Sequence, residues 1–152
     1  MKTLTFNIHI DAAPPKVWNT MISPDTYRQW VQKTWPGSDY EGKWAKGENV
    51  RFVGPGGGGT LANIIEMIPN KYMLAKHIAI INQDGTEDHE GVTGKGWIGT
   101  TESYTFSANN NGTDLMVEMK IAPEWEKMFV DDWPVALEEL KRLCESIKSV
   151  KS

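Results

Sequence analysis

Cysteine is nearly missing from this chain: one residue, Cys144, stands among 152. A lone cysteine excludes an internal disulfide and any metal site built on several thiolates. Positive charge is also scarce. Sixteen lysines and arginines against twenty aspartates and glutamates leave a formal net charge of -4. That balance speaks against a nucleic-acid partner, which favours a basic face. No apolar run approaches the roughly 20 residues of a membrane span. The opening "MKTLTFNIHI" lacks the apolar core of a secretion signal. These absences point to a cytoplasmic protein with no membrane span, no bound metal and no nucleic-acid partner. The length suits one domain over residues 1–152, long enough to bury one core.

Tryptophan, by contrast, is abundant. Seven are spread along the chain, from Trp18 to Trp133. They fill a core or line a hydrophobic cavity, and composition does not separate the two.

Patterning gives the element order. "TLTFNIHI" alternates, with Leu4, Phe6, Ile8 and Ile10 on one face, and reads as a half-buried strand that exposes His9. Pro14 and Pro15 sit where a helix can begin, and Val17, Trp18, Met21 and Ile22 follow at helical spacing. Ser23 and Pro24 open a second short helix carrying Tyr27, Trp30 and Val31. Residues 32–47 look irregular, with a short strand near Tyr40. Strands are expected in "ENVRFVG", with Val50 and Phe52 on one face, then in "TLANIIEMIP" and "NKYMLAKHIAII". "WIGTTESYTFSA" places Glu102, Tyr104 and Phe106 on one face, "NNNGT" is a turn of the asparagine-glycine type, and "DLMVEMKI" alternates through Val117 and Met119. From Glu124 to about Lys148, apolar residues recur at helical steps, among them Trp125, Met128, Phe129, Trp133, Leu137, Leu140, Cys144 and Ile147. Pro134 predicts a kink or a break in that helix, lifting its first part off the sheet.

"VGPGGGGT" contains Gly54, Gly56 and Gly59 at the spacing of a dinucleotide fingerprint. That fingerprint needs a helix after the glycines, to offer its N-terminus to a pyrophosphate. Here the next segment is β-rich and ends at Pro69, so the glycines read as a loop between antiparallel strands, and no nucleotide cofactor is expected. "QDGTEDHEG" gathers Asp84, Glu87, Asp88, His89 and Glu90. Its single histidine and its spacing match neither a zinc nor an EF-hand pattern, so it reads as a solvated acidic loop. No nucleophile-elbow pattern surrounds any serine.

Several segments together resemble a known family. "IDAAPPKVWNTMISPDTYRQW", "EGKWAKGENVRF", "IIEMIPNKYM" and "WPVALEELKRL" occur in order over nearly the whole chain. They are similar to the START-like or Bet v 1-like (SRPBCC) superfamily, and within it to the branch homologous to the C-terminal domain of the activator of Hsp90 ATPase. The resemblance implies an α+β helix-grip fold, with a curved antiparallel sheet wrapped around a long C-terminal helix. A cavity often lies between them. Superfamily members bind lipids, hormones or polyketides, and a few catalyse cyclisation or hydrolysis. There is no universal catalytic motif, so no catalytic residue carries over.

The expected function is therefore binding of an apolar or aromatic small molecule. Its expected lining is Trp30, Phe52, Tyr104, Phe106, Val117, Met119, Phe129, Trp133 and Leu137, with His77 and Glu102 as a polar pair if both point inward. A cyclase- or hydrolase-type enzyme using that pair for acid-base chemistry is the first alternative. A chaperone-interacting module, on the family resemblance, is the second.

Overall fold

The computed structural model describes residues 2–90 and 96–150, with side chains described to residue 146. The chain begins with β1 (Lys2–Ile10), then α1 (Pro14–Ile22) and α2 (Pro24–Val31). Two strands follow, β2 (Asp39–Gly42) and β3 (Asn49–Val53), then the longer β4 (Gly59–Ile68) and β5 (Tyr72–Ile81). After β6 (Glu87–Asp88) come β7 (Thr101–Asn109) and β8 (Gly112–Ile121). A 3-10 turn at Pro123–Trp125 leads into α3 (Glu126–Val150). The strands form one antiparallel sheet in the order β1-β8-β7-β5-β4-β3-β2, and β6 pairs with the end of β5. This is the α+β helix-grip architecture. Among the described residues no helix is long and apolar enough to cross a membrane.

The sheet buries one face because its strands alternate. On β1, Leu4 and Ile10 are buried and Phe6 and Ile8 half-buried, while Thr3, Thr5, Asn7 and His9 are exposed. On β8, Leu115, Val117, Met119 and Ile121 are all buried. The long helix answers with Phe129, Trp133, Ala136, Leu137, Leu140 and Cys144, at steps of three and four residues, in the same core. Met128, expected on that stripe, is exposed, and the side chain of Ile147 lies outside the described residues.

The break expected at Pro134 does not occur; α3 runs through it. Proline removes one intrahelical hydrogen bond, to the carbonyl of Val130, and Val130 lies on the exposed side of the helix. Phe129 and Trp133 on one side of the proline, and Ala136 and Leu137 on the other, are buried in a single core, so neither half is lifted out of it.

Two bulges bend the middle of the sheet. Leu61 faces Ala79 and Ala62 faces His77, so Ile78 has no opposite number. Ile65 is likewise extra between Ile64 and Glu66. Each bulge adds twist and resets which residues face inward. Before Ile78, Met73 belongs to the main core, and beyond it Ala79 and Ile81 form a small separate cluster with Leu61.

The glycine stretch is the β3–β4 connection. Gly54 N–H donates to the Gly58 carbonyl at 2.9 Å, closing a tight loop in which Gly57 has φ +88°. Gly59 already belongs to β4, and a Cβ there would lie 1.8 Å from the Phe52 carbonyl oxygen. Gly57 and Gly59 are thus required by a hairpin, not by a helix N-terminus. The β7–β8 turn is centred on Asn110 and Asn111, with φ of 52° and 68°, and Gly112 opens β8. Both central residues are left-handed, as a two-residue hairpin turn demands. The acidic segment is not loop throughout: Glu87 and Asp88 form β6, and Arg51 donates to Glu87 at 2.7 Å. Its continuation at residues 91–95 lies outside the described residues.

Candidate functional site

A pocket of about 270 Å³ opens between the inner face of the sheet, α2 and the first turns of α3. Small-molecule sites start near ~300 Å³, so the space suits a compact ligand. Nine of its nineteen lining residues are aromatic, and five of those are tryptophans.

Helix α2 contributes its apolar stripe. Tyr27 and Trp30 lie one turn apart, their rings meeting edge to face at 5.5 Å, and the Trp30 indole N–H donates to the Met21 carbonyl at 3.1 Å. From α3 come Phe129 and Trp133. Phe129 stacks on Trp97 at 5.7 Å, and Trp35 meets Trp133 edge-on at 5.4 Å. The turn bearing Trp97 is tied to β5, because His77 N–H donates to the Thr100 carbonyl and Gly99 N–H to the His77 carbonyl, both at 2.8 Å. This brings the Trp97 ring to 4.8 Å from the His77 ring.

One polar chain crosses this apolar wall. Thr60 Oγ1 lies 3.1 Å from His77 Nδ1, and His77 Nε2 lies 3.4 Å from Glu102 Oε2. Tyr104 O–H donates to Glu102 Oε1 at 2.8 Å. Strand geometry explains the chain. Glu102 and Tyr104 are two apart on β7 and share a face. Glu102 pairs with Ala75, which puts His77 diagonally beside it.

Burial pushes the Glu102 carboxyl up, but the hydrogen bond and positive field of His77 and the hydrogen bond from Tyr104 outweigh it. The carboxyl is held below its ordinary value. Burial, and then the Glu102 charge, push the Tyr104 hydroxyl well up and raise that of Tyr27. Both phenols therefore stay neutral, and that of Tyr104 serves as a donor.

Of the residues expected to line a cavity, Trp30, Phe52, His77, Glu102, Tyr104, Phe129 and Trp133 meet here. Phe106, Val117, Met119 and Leu137 do not. Phe106 lies farther along β7 and packs its ring against Trp18 at 5.2 Å. Val117 and Met119 are fully buried on β8, and Met119 is covered by Trp133. Leu137 is buried one turn past Trp133 and borders a separate cleft beside Phe6, Ile8 and Pro134. These four are core. Sequence reasoning missed Tyr27, Trp35, Trp44, Thr60 and Trp97. Tyr27 was legible, because it shares the α2 stripe with Trp30. The other four sit on irregular segments or behind the Ile78 bulge, where periodicity carries no signal.

A family model, activator of Hsp90 ATPase homolog 1-like protein, matches residues 11–145, from the start of α1 through most of α3. The chain belongs to this family. It is the branch of the SRPBCC superfamily that the sequence motifs resembled. Solved structures agree on the fold. A protein from Mesorhizobium loti is similar with a TM-score of 0.72 and 19% identity, over 95% of this chain and 98% of that one. The Aha1 dimer from Colwellia psychrerythraea is similar with a TM-score of 0.70 and 22% identity, over 93% and 94%. CalU16 from Micromonospora echinospora is similar with a TM-score of 0.63 and 16% identity, over 96% and 79%. No curated protein matches the chain. The family's fold is, in general terms, one of ligand-binding domains.

Proposed function

We propose that residues 1–152 act as one domain that binds a small apolar or aromatic molecule in the pocket between the sheet and α3. The observation that carries this reading is a ligand-sized space walled by nine aromatic side chains and crossed by a single polar chain through Glu102. Apolar walls supply affinity, and a few placed polar groups fix orientation. The test is titration with N-phenyl-1-naphthylamine, a neutral apolar fluorophore. Saturable micromolar binding with quenching of tryptophan emission is expected. Phe129→Ala or Trp133→Ala should weaken binding while circular dichroism shows the protein still folded. A folded protein that takes up no probe refutes the reading.

A second reading follows from the contact between His77 and Glu102. A base beside a carboxylate in a mostly apolar pocket is suited to proton transfer. If the pair is catalytic, His77→Gln abolishes turnover of a bound substrate and spares its binding. If it only orients a ligand, affinity falls instead. The family description also names a chaperone activator, and direct titration of the protein with an Hsp90 chaperone tests that partner.

A further inference from the structure

We propose that the pocket selects an organic cation: a small amine or quaternary ammonium group on an apolar or aromatic body, seated among the rings beside the Glu102 carboxylate. The inference rests on the pocket being a ligand site and names the class of ligand.

The first support is the arrangement of the rings. Tyr27 meets Trp30 at 81° and Trp35 meets Trp133 at 78°, so these neighbouring rings stand as walls at right angles, while Phe129 lies stacked on Trp97. Ring faces carry the negative side of the aromatic quadrupole, and tryptophan, the commonest ring here, holds a cation best.

The second is the charge inventory. Glu102 is a carboxylate with little solvent, its side chain 12% exposed. Among the described residues no lysine or arginine lines the pocket. His77 is the one basic group in the lining. Its Nδ1 is within reach of the Thr60 hydroxyl at 3.1 Å. Where the imidazole is neutral, with Thr60 donating to Nδ1, it presents Nε2–H to Glu102 as an uncharged donor and no cationic side chain of the lining balances the carboxylate. An unbalanced charge in so apolar a site is costly. A ligand cation removes that cost, a neutral ligand leaves it and an anion adds to it. The Glu102 charge also reaches across the pocket, where it helps burial to push the Tyr27 hydroxyl up.

The third is unused capacity on the carboxylate. Each oxygen accepts from two directions. Oε1 takes the Tyr104 hydroxyl at 2.8 Å, and the Oε2 contact to His77 is long, at 3.4 Å. Room remains for a further positive partner.

The test is a matched pair of probes, benzyltrimethylammonium and its neutral isostere neopentylbenzene. They share shape and differ by one charge. Both are titrated into the full chain at about pH 8, where an ordinary imidazole is neutral, with tryptophan emission as the readout. Benzyltrimethylammonium is expected to bind about tenfold more tightly. Glu102→Gln should erase the difference, bringing benzyltrimethylammonium to the affinity of neopentylbenzene measured on the same variant. Equal or tighter binding of neopentylbenzene overturns the cation proposal and leaves the pocket reading standing. Failure of both probes overturns both. A preference that survives Glu102→Gln overturns the role assigned to the carboxylate. Should that variant not fold, the wild-type comparison alone decides, and Trp97→Leu should weaken benzyltrimethylammonium more than neopentylbenzene.

Discussion

The indole N–H of Trp133 points at the sulfur of Met119, 2.9 Å away, and joins α3 to β8 beside the pocket. Both residues are buried. Met119→Leu keeps the volume and removes the acceptor, leaving a buried donor without a partner. A loss of about 1–3 kcal/mol is expected, read from urea unfolding. A change within about 0.5 kcal/mol, the level of a surface substitution, would show that the contact contributes only packing.

Leu140 is fully buried in the core that α3 shares with the sheet. Leu140→Ala should cost roughly 2–5 kcal/mol, as deletion of core methyl groups does. The same denaturant titration measures it, and a cost below half a kilocalorie would place the stripe at the surface.

Glu102 sets an acid dependence. Its carboxyl is held below the ordinary value of 4.5, so the stability it contributes is present above that value. It is lost as pH falls through the depressed folded-state pKa. The wild type should therefore lose stability as pH falls below 4.5 more steeply than Glu102→Gln, which has no such proton to bind. Parallel curves for the two proteins would remove Glu102 from the acid response.

Burial pushes the Cys144 thiol from 9.0 up to about 11. The native protein should resist dithiobis(nitrobenzoic acid) at about pH 8 and react fully once unfolded, since the thiolate is the reactive form. The raised value also means that stability present below the unfolded-state pKa declines as pH rises from 9.0 toward 11. Rapid labelling of the folded protein would contradict both statements.

The elements that periodicity could reach were legible. The β1 alternation, the stripe of α3 and the hairpin nature of the glycine stretch all follow from local pattern and turn chemistry. The break allowed for at Pro134 did not form, because local helix rules have no knowledge of Phe129 and Leu137 being buried on either side of it. The site was half legible. His77 and Glu102 sit on strands whose faces can be counted, whereas Trp35, Trp44 and Trp97 reach the pocket from irregular segments. Thr60 escaped for a different reason. It shares the face of Ala62, whose partner is His77, so its contact with His77 depends on how β4 pairs with β5 and not on the pattern of either strand alone.

The unpaired Ile78 lets His77 and Ile80, three residues apart, share the face of Ala62 and Thr60, while Ala79 and Ile81 share the opposite face with Leu61. The extra residue is therefore silent in register. A chain without it would return to plain alternation and still present His77 and Ile80 on the side they hold now. What it would lose is the local twist that a bulge adds, so the bend of the wall beside Thr60 can change while the set of inward side chains does not.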